Sequence, residues 1–158
     1  MTSVTFTSRI AGLAMALATT ACATAGNGNF MLVHINGKKS IEGKFVDGKP
    51  SGAWTWWHAT GNKAQVGQYV KGAGAQTGYF DTTAETVQYE SYTKDNLFEG
   101  NYTEYHSNGK VKLEGPYVAD ERHGTWQQFT TTGAKEVVAC YWEGQSIHPD
   151  ACVAEDGI

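Results

Sequence analysis

"GNYTEYHSNGKVKLEGPYVADERHGTW", Gly100–Trp126, reads at first as a polar cluster, Glu121-Arg122-His123, set among aromatics. Its ends decide otherwise. Gly124-Thr125-Trp126 repeats Gly100-Asn101-Tyr102 at a distance of 24 residues, and the same step reaches Gly52-Ala53-Trp54 and Gly28-Asn29-Phe30. The turn glycines Gly37, Gly61, Gly109 and Gly133 lie in the same register. So do Gly43, Gly67 and Gly115, with Phe45, Tyr69, Tyr117 and Tyr141 following at the same offset. A second turn position reads Asp47-Gly48, Lys71-Gly72, Asp95-Asn96, Ala119-Asp120 and Glu143-Gly144. The chain is therefore a gapless array of five units: 28–51, 52–75, 76–99, 100–123 and 124–147. Such a period marks a repeat architecture, in which each unit is one supersecondary element.

Each unit holds two short aromatic-rich runs divided by turn signals. Ile41, Gly43 and Phe45 alternate onto one face, as do Leu113, Gly115 and Tyr117. Asn36-Gly37 and Asn108-Gly109 are hairpin dipeptides, because Asn and Gly tolerate positive φ. Two strands per unit predict an all-β fold, a meandering antiparallel sheet of about five repeated β-hairpins and about ten strands. Composition agrees, with 5 Trp, 8 Tyr and 6 Phe beside 19 Gly and 3 Pro in 158 residues. A net charge of −4 leaves no basic face for a phosphate backbone, so nucleic acid is not an expected partner.

The unit 76–99 departs from the pattern. Gln76 stands where glycine is expected, Gly78 where Trp or Tyr is expected, and Glu85 where the turn glycine is expected. Either the sheet bulges here or the register moves by two, since Gly78-Tyr79-Phe80 resembles a displaced Gly-x-Trp. Degenerate drift is a commoner cause of such a break than function.

The first residues read as a targeting segment, 1–25. Arg9 precedes the apolar run Ile10–Ala18, which is too short to span a bilayer, and small residues follow. Ala23-Thr24-Ala25 suits ordinary signal cleavage, whereas Thr19-Thr20-Ala21-Cys22 resembles a lipobox that would lipidate Cys22. The expected location is thus the periplasm, a lipid-anchored position on the membrane, or the exterior. Export leaves Cys140 and Cys152 as a pair suited to a disulfide that pins the C-terminal tail, 148–158, to the body. The loop it closes is worth roughly 3 kcal/mol in the chain-entropy model. Metal binding by the same pair with His148 lacks an obvious fourth ligand.

His34, His58 and His106 share one repeat position, which Thr82 interrupts. Equivalent positions in successive hairpins are two strand spacings apart, roughly 10 Å, too far for one ion. Aromatics that recur at a fixed position read as packing: Trp54, Tyr102, Tyr117 and Trp126, with Gly52, Gly100, Gly109, Gly115 and Gly124 as the structural frame. Trp56, Phe80 and Trp142 recur less regularly and are the candidate ligand-stacking residues. No G-x-S-x-G, H-E-x-x-H or phosphate-binding glycine loop occurs. No catalytic residue, metal or cofactor is expected, and the chain reads as a non-enzyme.

Gly100, Tyr102, Tyr105, Asn108-Gly109-Lys110, Glu114-Gly115, Tyr117 and His123-Gly124-Thr125-Trp126 together resemble the MORN-variant repeat family, which includes bacterial chains labelled YwqK-type antitoxins. "GAWTWWHATGNKAQVGQYVKG", 52–72, is a second good copy. The resemblance covers most of the chain beyond residue 27. It implies a meandering antiparallel sheet of hairpins and points toward scaffolding and membrane-proximal roles. The expectation is an exported protein-interaction or scaffold module of the bacterial envelope, with an unknown protein partner there. A glycan- or peptide-binding module and an antitoxin-like inhibitor are the alternatives.

Overall fold

The computed structural model describes residues 26–148, 150 and 152; the expected targeting segment, 1–25, and Cys22 lie outside them. The strands are β1 (Gly28–Val33), β2 (Lys39–Val46), β3 (Lys49–Trp57), β4 (Lys63–Val70), β5 (Ala73–Tyr79), β6 (Val87–Lys94), β7 (Leu97–Phe98), β8 (Gly100–Tyr105), β9 (Val111–Val118), β10 (Glu121–Arg122), β11 (Gly124–Phe129), β12 (Lys135–Trp142) and β13 (Gln145–Ile147). They form one open antiparallel sheet in the order β1-β2-β3-β4-β5-β6-β8-β9-β11-β12-β13, with β7 on β6 and β10 on β9. The all-β meander of hairpins is therefore the fold.

Two kinds of turn alternate along it. Asp47-Gly48, Lys71-Gly72, Asp95-Asn96, Ala119-Asp120 and Glu143-Gly144 each hold both residues at positive φ. That is the type I′ turn, whose twist matches the strands it joins. The opposite turns span residues 34–38, 58–62, 106–110 and 130–134. In each, the first residue's N–H donates to the fifth residue's carbonyl, as from His34 to Lys38 at 2.8 Å and from His106 to Lys110 at 2.8 Å.

The glycine that opens a unit makes a bulge. Lys44 faces Ser51, but Glu42 faces Thr55, so Gly52, Ala53 and Trp54 together oppose Gly43. Gly52, Gly100 and Gly124 sit at φ 72°, 74° and 62°, a backbone that a side chain resists. The bulge lays the Trp54 indole over Gly43, where an added Cβ would overlap the ring, and its Nε1–H donates to the Lys44 carbonyl at 3.1 Å. Trp126 repeats this over Gly115, donating to the Pro116 carbonyl at 3.0 Å. These indoles are buried and form the core of a one-layer sheet. The bulges also cut β7 and β10 away from β8 and β11; these two and the terminal β13 bring the expected ten strands to thirteen.

The third unit lacks this opening bulge. β4 pairs β5 without interruption, from Val70 opposite Ala73 to Gln65 opposite Gly78. The choice left open by the sequence is thus resolved as a register displaced by two. The two residues reappear in the following turn, Phe80–Thr86, which is closed by the Phe80 N–H on the Thr86 carbonyl at 2.9 Å. Glu85, at φ 48°, takes the left-handed place of the missing turn glycine. Strand shortening and turn lengthening cancel, so the 24-residue period survives. One correction follows: the residue structurally equivalent to His34, His58 and His106 is Phe80, and not Thr82.

Candidate functional site

The displaced register decides what fills the centre of the aromatic face. Opposite the Gly43 position of successive hairpins stand Phe30 on Gly43, Trp54 on Gly67, Gln76 on Ser91, Tyr102 on Gly115 and Trp126 on Ala139. Gln76 thus occupies the place of an aromatic ring. Its neighbours are polar to match. Thr93 holds the position of Phe45, Tyr69, Tyr117 and Tyr141, and Gln65 that of Ile41 and Leu113. Gln65 Nε2–H donates to Gln76 Oε1 at 2.8 Å, Gln76 Nε2–H to Thr93 Oγ1 at 2.7 Å, and the Tyr89 hydroxyl to Gln65 Oε1 at 2.6 Å. The Tyr69 hydroxyl joins through Thr93, Gln76 and Gln65, and burial pushes its pKa up to about 12. Burial likewise raises Tyr89 and Tyr102. Ser91 is buried, and its Oγ is the one such atom without a partner among the described residues.

A second break lies at the turns. His34 Nε2 donates to the Trp57 carbonyl at 2.8 Å, His58 to Tyr79 at 3.2 Å and His106 to Phe129 at 2.9 Å. A carbonyl only accepts, so each ring carries its proton on Nε2. Asn36 and Asn108 add bonds to the Ala59 and Thr131 carbonyls, both at 2.8 Å. Each histidine is a staple from one hairpin to the next. Phe80 has no side-chain N–H to give the Tyr105 carbonyl, and among the described residues no side-chain hydrogen bond joins the third turn to the fourth. A cleft of about 290 Å³ opens there, lined by Val87, Glu90, Tyr105 and Gly109. The Tyr105 hydroxyl donates to Glu90 Oε2 at 2.6 Å, and that bond to a carboxylate raises its pKa to about 12.

The opposite face carries a feature the sequence reading missed. Strand alternation turns Val46, Val70, Lys94, Val118 and Trp142 away from the aromatic side. These five are in repeat register, and the four apolar ones are exposed by 36%, 71%, 48% and 45%. The signal was available as an apolar residue recurring every 24 positions beside the type I′ turn.

The expected stacking residues do not converge. Trp56 is half-buried on the aromatic face, stacked on Trp54 with centroids 5.8 Å apart and edge-on to Tyr69 at 6.4 Å. Phe80 is half-buried at the third turn, and Trp142 sits on the other face against His123 at 4.7 Å. Glu121 and Arg122, two members of the polar cluster in the opening stretch, are strand residues. They form β10, and the loop proper is Ala119-Asp120. The Arg122 guanidinium lies 4.3 Å from the Trp126 ring centroid and 5.4 Å from that of Tyr141, closing the aromatic face. Cys140 and Cys152 are disulfide-bonded, with Cα atoms 5.8 Å apart.

Comparison with known proteins finds one of these hairpins. Residues 98–119 match the MORN repeat variant. The matched stretch runs from β7 through β9, within the clearest MORN-like copy. No curated protein matches the chain. Among solved structures, an S. aureus TarM mutant in complex with Fondaparinux, alpha-GlcNAc-glycerol and UDP is similar at 9% identity and TM-score 0.43. A second TarM crystal structure is similar at 12% identity and TM-score 0.40. Each likeness covers 75% of this chain and 20% of that one, so the chain spans one fifth of their length. At such scores the likeness carries no argument about activity.

Proposed function

We propose that the chain is a non-enzymatic protein-interaction module of the bacterial envelope, exported by its N-terminal segment and held near the membrane when Cys22 is lipidated. The observation that carries the reading is the row Val46, Val70, Val118 and Trp142, exposed and in repeat register. Apolar side chains repeated at fixed spacing on an open sheet present a matched set of contacts to one extended partner surface. The aromatic face supports the same reading from the other side, because its rings are spent on the chain's own glycines. Export rests on the order of charge, apolar run and small residues in 1–25.

Photo-crosslinking in the native envelope tests this. A crosslinker at Val70 or Val118 should trap a protein that one at Gln128, on the aromatic side, does not. Equal or absent trapping at the two faces contradicts it. Trp142 also favours a second reading, glycan or peptide stacking, since it is the most exposed tryptophan ring and lies against a histidine. Titration with cell-wall fragments should then quench a fluorescence component that Trp142→Ala removes. Replacing Cys22 by Ser should release the protein from the membrane fraction, and unchanged association would rule out the anchor.

A further inference from the structure

An open sheet has two edges, each with a row of backbone groups that no neighbouring strand pairs. The two edges here are built differently. At the C-terminal edge β13 has three residues, and Cys152, beyond it in the chain, is disulfide-bonded to Cys140 on β12. At the N-terminal edge β1 has six residues. From Gly26 to Asn36 the chain holds no charged residue and no proline. Met31 and Val33 are exposed by 58% and 55%. Edge strands are normally blunted by charge, proline or brevity, and β1 has none of these.

We infer that β1 joins two copies of this chain edge to edge into one continuous antiparallel sheet. The occupant is chosen by charge and by symmetry. The chain carries a net charge of −4, so most pairings of two copies oppose like charges; β1 against β1 opposes none. A two-fold axis normal to the sheet runs β1 antiparallel to its copy and keeps the aromatic faces on one side. Residues that face each other must then share a face, so the axis passes through a residue rather than between two. Centred on Met31, the pairing sets Phe30 beside the partner's Leu32. Phe30 already packs on Phe45 at 5.5 Å and Trp54 at 5.8 Å on its inner side, and the second copy extends that aromatic row outward.

Sedimentation velocity on the purified protein tests the inference, with circular dichroism as the control for folding. The protein should sediment as a dimer. The double variant Met31→Lys, Val33→Lys should halve the mass with its spectrum unchanged, and Ser146→Lys on the other edge should leave the dimer intact. Where the double variant loses its spectrum, Met31→Cys in a Cys22→Ser background decides instead, by forming a covalent dimer on mild oxidation. A monomer at every micromolar concentration, a dimer that survives the β1 lysines, or no covalent dimer from Met31→Cys would overturn it.

Discussion

The third hairpin and the fifth solve one packing problem in two ways. In the fifth, Gly124 bulges the strand and lays Trp126 over Gly115. In the third, β5 runs straight and Gln76 fills the same place, held by Gln65 and Thr93. A ring on a glycine is stabilised by apolar burial, which is non-directional. An amide chain is stabilised only while every member is paired. The repeat thus tolerates a change of chemistry at its core when the surrounding positions change together.

Substitutions separate the two solutions. Trp126→Ala should cost the most, about 3–5 kcal/mol, measured by denaturant unfolding. Gln76→Ala should cost about 1–3 kcal/mol by leaving buried partners unpaired. A cost for Gln76→Ala as large as that for Trp126→Ala would erase the distinction. Alkaline pH acts on the polar chain of the third hairpin through Tyr69 of β4, whose hydroxyl joins it. The folded state holds Tyr69 protonated to about pH 12, above its ordinary value of 10.0. Stability is therefore fully present below pH 10 and falls as pH rises toward 12. A Tyr69→Phe variant should show a shallower fall over the same range. His106→Phe, which copies the natural break at Phe80, should cost about 1 kcal/mol. Ser91→Ala should be smallest, within about 0.5 kcal/mol of neutral or slightly stabilising, because the Oγ it removes has no partner.

Much of the fold was legible because its determinants are local. Asp47-Gly48 and its four counterparts demand positive φ, and Gly43 and Gly115 mark where rings lie flat. The displaced third hairpin was only half legible. Gln76, Gly78 and Glu85 flagged it, but a two-residue loss in the strand and a two-residue gain in the turn leave the period unchanged. Pairing, a non-local property, decides between bulge and displacement. The histidines illustrate the same limit. Their shared position was readable, but the acceptor of each is the backbone of the next hairpin, fixed only by strand order. Of the candidate surface, Trp142 was legible by its irregularity, while Val46, Val70 and Val118 look ordinary until the faces are assigned.

The displaced register of β5 is tested most directly by cross-strand nuclear Overhauser contacts between β4 and β5. The structure predicts that Val66 contacts Thr77 and Gln65 contacts Gly78. Contacts of Val66 with Tyr79 and of Gln65 with Phe80, the register of the bulged copies, would contradict it.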